Sequence, residues 1–170
     1  SLGNAYSDCF NIETPACGDN VTNMQFAYAN CYNIIGDAVC GPSVINISGA
    51  YSDCYNLSGN AACGDNVIDM TNAYVNSGVT TACYGNNVVD MIYAFANCQN
   101  LTQAVFGPNV SNAFGAYKDC PNIISIGSGK AIEMCETFMN CKSLTVASYP
   151  TGVKNLSNTF RGCTNLVTQV

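Results

Sequence analysis

The chain of 170 residues contains no histidine and no tryptophan, and it has five Lys and Arg residues against 11 Asp and Glu. Without histidine, Ser-His and Cys-His nucleophile pairs and the usual zinc-finger spacings are excluded. The net charge of −6, with no basic stripe, argues against a nucleic-acid partner. No apolar run approaches the roughly 18 residues of a membrane-spanning helix, so no membrane insertion is expected.

Charged residues make up 9% of the chain, whereas soluble domains ordinarily contain about a quarter. Asn, Ser, Thr, Gly and Tyr must therefore keep the surface soluble, as is typical of extracellular, cell-surface and virion proteins. There is no phosphate-binding Gly-rich motif, and the recurring "GDN" turns hold too few acidic residues for calcium. We therefore expect no enzymatic activity, no cofactor and no metal.

A column of seven cysteines and one serine recurs every 21 to 23 residues. This main column comprises Cys9, Cys31, Cys54, Ser77, Cys98, Cys120, Cys141 and Cys163. An aromatic residue precedes each member by three positions, and a small residue comes just before that aromatic. The repeat predicts a single solenoid domain over 1–170, a segment of a longer chain or assembly. Its eight units lie near 1–20, 21–43, 44–66, 67–87, 88–109, 110–131, 132–152 and 153–170.

Each unit has two parts with different patterns. Apolar, small and aromatic residues spaced as in Met24, Ala27 and Tyr28 predict one short helical turn, with Asn23 as its N-cap. Stretches such as "GDAVCG" and "TQAVFG" follow, and they predict one short parallel strand ended by a turn.

The segments "VVDMIYAFANCQNL" and "VKNLSNTFRGCTNL" resemble the BspA-like leucine-rich repeats of microbial surface proteins. This resemblance implies a leucine-rich-repeat solenoid with a role in surface attachment or display. The expected class is thus an α/β repeat. We expect a right-handed solenoid of about eight coils, with one short parallel strand and one short helical turn per coil.

A second cysteine column comprises Cys17, Cys40, Cys63 and Cys83. One hypothesis pairs it with the main column inside each unit, as Cys9 with Cys17. The favoured interpretation is core packing, because Ser77 is tolerated and Cys98 has no such partner. Cys135 lies outside both columns, and it is expected to be a reactive thiol or to pair with Cys141.

Phe10, Tyr32 and Tyr55 directly follow the main column in the first three units, and they predict an outward-leaning aromatic ladder. Such a ladder either stabilises adjacent coils or contacts a ligand. We expect attachment to other protein subunits or to a host surface protein or glycan. The alternatives are a fibre or virion subunit that self-associates end to end through uncapped solenoid ends, and a glycan-binding module.

Overall fold

Four two-residue strands mark the later units of the chain, in a computed structural model that describes residues 1–169. They are β1 (Gln103–Ala104), β2 (Ser125–Ile126), β3 (Val146–Ala147) and β4 (Thr168–Gln169). The strands form two parallel pairs, β1 with β2 and β3 with β4. Paired residues lie one repeat apart in the sequence, since Gln103 pairs with Ser125 and Val146 with Thr168. A strand in every unit was predicted, but residues 1–102 contain none.

The segment predicted as a helical turn is a pair of consecutive reverse turns. In the second unit, the N–H of Ala27 donates to Met24 O at 2.9 Å, and the N–H of Cys31 donates to Tyr28 O at 3.2 Å. Phe26 has a φ of 51° and Asn30 a φ of 61°. A positive φ at the third residue is the geometry of a type II turn, and a right-handed helix does not allow it. The helical prediction was therefore wrong, and within residues 1–169 no helix is long and apolar enough to cross a membrane.

The remaining N–H groups of these turns bond to the neighbouring unit. Four N–H groups of the second unit donate to carbonyl oxygens of the third at 2.9 Å, those of Met24, Phe26, Tyr28 and Asn30. Alternate backbone groups thus close the turns of this unit and join it to the next unit.

The residues predicted as N-caps begin the turns. Asn23 Oδ1 accepts the N–H of Gln25 at 2.7 Å, and Asn46 Oδ1 accepts the N–H of Ser48 at 2.7 Å. A side-chain acceptor two residues before its donor forms an Asx turn, which starts reverse turns as readily as helices. Parallel β-bridges pair this position with its equivalent in the next unit, along the series Asn23, Asn46, Asp69, Asp90, Asn112, Glu133 and Asn155.

An aromatic core stack runs along the inside of the solenoid. Its rings lie nearly parallel at centroid separations of 5.2 to 5.8 Å, and they belong to Tyr6, Tyr28, Tyr51, Tyr74, Phe95, Tyr117, Phe138 and Phe160. The buried tyrosines also bond to the opposite wall. Tyr28 Oη donates to Ala16 O at 2.6 Å and accepts the Ala16 N–H at 2.9 Å. Tyr51 and Tyr74 bond in the same way to Val39 and Ala62.

Substitution of Asn97 tests the turn geometry, because this residue has a φ of 60° and its side chain lies on the surface. We expect Asn97→Val to lower the free energy of unfolding by about 2 kcal/mol, since a β-branched residue is strained at positive φ. Asn97→Gly is the matched control, because it removes the same side chain without this strain, as Gly162 does naturally in the last unit. Equal urea midpoints for the two variants would contradict the turn assignment.

Candidate binding face

A ladder of Asn and Asp side chains runs along the outer edge of the turns, at the position just before the main cysteine column. Its members are Asp8, Asn30, Asp53, Asn76, Asn97, Asp119 and Asn140, all at φ between 58° and 64°. Asn76 Nδ2 donates to Asp53 Oδ1, and Asn97 Nδ2 donates to Asn76 Oδ1, each at 2.7 Å. No two aspartates are adjacent in the ladder, which limits repulsion between like charges.

The predicted aromatic residues form an exposed stack beside this ladder. Ring centroids are 5.3 Å apart between Phe10 and Tyr32 and 5.4 Å apart between Tyr32 and Tyr55. Tyr32 is 38% exposed and Tyr55 is 56% exposed. Tyr32 is the less exposed of the two because rings stack on both of its faces. The next position in the series is Gly78, which has no side chain to stack on the outer face of the Tyr55 ring.

Hydrogen bonds tie the exposed stack to the ladder. Tyr55 Oη donates to Asp53 Oδ1 at 3.1 Å, and this bond raises the pKa of the Tyr55 hydroxyl. In later units Gln99 Nε2 donates to Asn97 Oδ1 at 2.6 Å. A shallow groove of about 410 Å³ follows there, lined by Asn97, Gln99, Asp119, Pro121, Asn140 and Lys142. The ladder, the exposed stack and this groove are together called the binding face.

The main cysteine column lies beneath the binding face. Its thiols donate to the carbonyl of the aromatic residue in a preceding unit, as from Cys54 Sγ to Tyr28 O at 3.1 Å and from Cys141 Sγ to Tyr117 O at 3.2 Å. Burial raises the pKa of the Cys54, Cys98 and Cys141 thiols to about 12. A thiol that stays protonated is a packing group and a donor, and it is a poor nucleophile.

The disulfide bond lies along the second column. Cys63 and Cys83, in adjacent units, are bonded with their Cα atoms 6.1 Å apart. The hypothesis of pairing inside each unit is therefore wrong, since the bond joins two units and the main-column cysteines Cys9, Cys31 and Cys54 are free. The main-column thiols are engaged with carbonyl oxygens, and the second column stacks along the solenoid axis.

Two further features complete the picture of the site. The predicted pairing of Cys135 with Cys141 is wrong, because both cysteines are free, and Cys135 is half-buried. Among residues 1–169, no cluster of three or more His, Cys, Asp or Glu side chains is placed to hold a metal ion. The Asn/Asp ladder was not predicted, although Asn or Asp precedes every main-column residue except Cys163. That pattern is the signal of a recurring positive φ.

Comparison with known proteins identifies the fold. No protein-family model and no curated protein matches the sequence. The structure is similar to a leucine-rich repeat protein from Bacteroides ovatus, with a TM-score of 0.74 and 15% identity, over 88% of this chain and 41% of that one. A leucine-rich cell surface protein from Faecalibacterium prausnitzii aligns over 98% of this chain and 75% of its own, with 15% identity and a TM-score of 0.40. The first similarity confirms the predicted leucine-rich-repeat solenoid. The chain spans about two fifths of the Bacteroides protein's length.

The buried thiols predict alkaline unfolding. The thiol pKa values of Cys54, Cys98 and Cys141 rise on folding from 9.0 to about 12. The stability that they contribute is complete below pH 9 and is lost as the pH approaches 12. Relative to its value well below pH 9, the free energy of unfolding at pH 10 should be lower by about 1.4 kcal/mol for each of these thiols. Urea melts at pH 8 and pH 10 measure this loss.

Cys54→Ser is the matched variant for this experiment, because it keeps a hydroxyl donor and removes one titrating group. We expect it to lose less stability than the unaltered protein between pH 8 and pH 10. An identical loss in both proteins would contradict the assignment of alkaline sensitivity to the buried thiols.

Proposed function

We propose that this protein is a non-enzymatic repeat protein of an extracellular, cell or virion surface, and that its binding face attaches to another protein. The exposed stack of Phe10, Tyr32 and Tyr55 is the observation that carries the proposal. Aromatic residues, and Tyr above all, are enriched in protein interfaces. The sparse charge of the chain and the Cys63–Cys83 disulfide support a location outside the cytosol.

The arrangement of the face supports binding without large rearrangement. Each ring of the stack is held by its neighbour, and Tyr55 is also held by Asp53. Side chains that are already ordered lose less conformational entropy when a partner binds.

The charges of the face define the chemistry of the partner. Asp8 and Asp53 lie beside the exposed rings, whereas Lys142 lies in the groove of the later units. The partner surface that fits is therefore apolar and flanked by Lys or Arg side chains opposite the first three units.

Attachment can be measured with beads that carry the purified protein, applied to immobilised extracellular-matrix proteins and to epithelial cell surfaces. We expect Tyr32→Ser to reduce specific attachment about tenfold or more, as for an interface residue worth at least about 1.4 kcal/mol. Treating the target with protease should abolish attachment, and removing its glycans should leave attachment intact.

Tyr84→Ser is the matched control, because Tyr84 is 51% exposed and lies outside the binding face. Circular dichroism confirms that both variants fold. Equal attachment by the Tyr32 and Tyr84 variants would contradict the proposed interface, as would attachment that survives protease and is lost with the glycans.

A second candidate function is the binding of a neutral glycan, and a different observation favours it. Parallel stacking covers the ring faces inside the exposed stack, so a sugar ring has no access to them. The outer face of Tyr55 is open, because position 78 is a glycine. A pyranose ring with an apolar face could stack there, next to the carboxylate acceptors of Asp53.

A panel of neutral oligosaccharides tests this second function. We expect Tyr55→Ala to weaken any binding about tenfold, which is a typical value for one aromatic stacking contact. Tyr84→Ala should bind as the unaltered protein does. Unchanged binding by Tyr55→Ala, or no glycan bound by the unaltered protein, would remove the glycan-binding candidate and leave the protein interface.

A further inference from the structure

We propose that Cys17 and Cys40 form a second disulfide bond between adjacent units, parallel to the Cys63–Cys83 bond. Cys17, Cys40 and Cys63 each directly precede the turn glycine of their unit, whereas Cys83 lies one residue earlier in the fourth unit. Cys63 and Cys83 show that cysteines in this part of neighbouring units can approach to a Cα separation of 6.1 Å, even when they are offset by one residue. That separation lies within the range that a disulfide requires.

The Cys17 side chain already lies against the segment that contains Cys40. Its Sγ is 2.8 Å from the point that a Cβ on Gly41 would occupy, and Gly18 O is 2.9 Å from the same point. Both thiols are half-buried, and each donates to the carbonyl of the residue that follows it, at 3.6 Å for Cys17 and 3.7 Å for Cys40.

Pairing of Cys40 with the next cysteine of the column is less favoured. Cys40 Sγ is 3.8 Å from the corresponding point on Gly64, which is farther than Cys17 Sγ is from Gly41. Cys63 is moreover already bonded to Cys83. The column therefore divides into two bridges, one between the first two units and one between the next two.

The backbone next to these cysteines gives the bridges a structural role. Tyrosine hydroxyls occupy both the N–H and the C=O of Ala16, Val39 and Ala62, the residues that precede Cys17, Cys40 and Cys63. The N–H groups of these three residues therefore do not pair between units, and the strands described in the chain begin only at Gln103. A covalent link at the next residue adds to the few backbone bonds that join units on this side, such as the one from the Ala61 N–H to Thr81 O at 3.1 Å.

The oxidation needs an external disulfide, such as oxidised glutathione. The thiolate of Cys17 or Cys40 attacks this disulfide and releases one small thiol. The thiolate of the other cysteine then displaces the second small thiol and forms the Sγ–Sγ bond. Two protons and two electrons pass from the cysteine pair to the oxidant, which leaves as two thiols.

Peptide mapping without reduction tests the proposal. The full chain is equilibrated in a glutathione redox buffer, free thiols are alkylated in denaturant, and digestion products are identified by mass spectrometry. Two bridges leave eight of the twelve cysteines alkylated, with one cross-linked peptide joining Cys17 to Cys40. Ten alkylated cysteines including Cys17 and Cys40, or a peptide joining Cys40 to Cys63, would overturn the proposal.

Two variants provide the controls. In Cys17→Ser, Cys40 should become alkylated while the Cys63–Cys83 peptide persists. In Cys135→Ser both cross-linked peptides should persist, because Cys135 lies outside both columns. If Cys40 stays protected in Cys17→Ser, its protection comes from another partner and the proposed pairing is wrong.

Discussion

Backbone hydrogen bonds in the turn segment alternate between two destinations, and most features of the molecule follow from this alternation. The N–H of Ala27 closes a turn within its unit, while that of Tyr28 reaches the next unit. The chain makes this alternation by taking a positive φ twice in each unit. Asn and Asp tolerate that conformation better than other residues with a side chain. The Asn/Asp ladder of the binding face is therefore a by-product of the turns that hold the units together.

The main cysteine column meets a second requirement of the same segment. Tyr28 O accepts the N–H of Cys31 from its own turn and the thiol of Cys54 from the next unit. The space around the Tyr28 carbonyl is small and apolar, so the donor that reaches this carbonyl from the next unit must be compact. Thr137 and Thr159 meet a similar need at the small-residue position, where their hydroxyls donate to Ala113 O and Met134 O at 2.7 Å. The cysteines thus act as neutral hydrogen-bond donors within the core.

The sequence predicted the solenoid, its period and the exposed aromatic stack, because these depend on side chains that recur in register. Secondary structure within the unit was harder to predict. A type II turn and a helical turn both place residues such as Met24 and Ala27 three apart on one face, so the apolar pattern cannot separate them. The asparagine at position 30 could have done so. The strands were predicted too widely, because this side of the coil in residues 1–102 makes single bonds between units, as from the Ala61 N–H to Thr81 O, and no continuous ladder.

The junction between the third and fourth units shows how these interactions replace one another. The exposed stack stops there, since Tyr55 is followed by Gly78. The thiol column is also interrupted, and the Ser77 hydroxyl contacts Cys98 Sγ at 3.6 Å. The Cys63–Cys83 bond crosses this same junction. Where the exposed stack and the thiol donor stop, a covalent bond adds to the backbone bonds and the Tyr51–Tyr74 stacking that join the two units. The Asn76–Asp53 hydrogen bond continues the ladder across this junction.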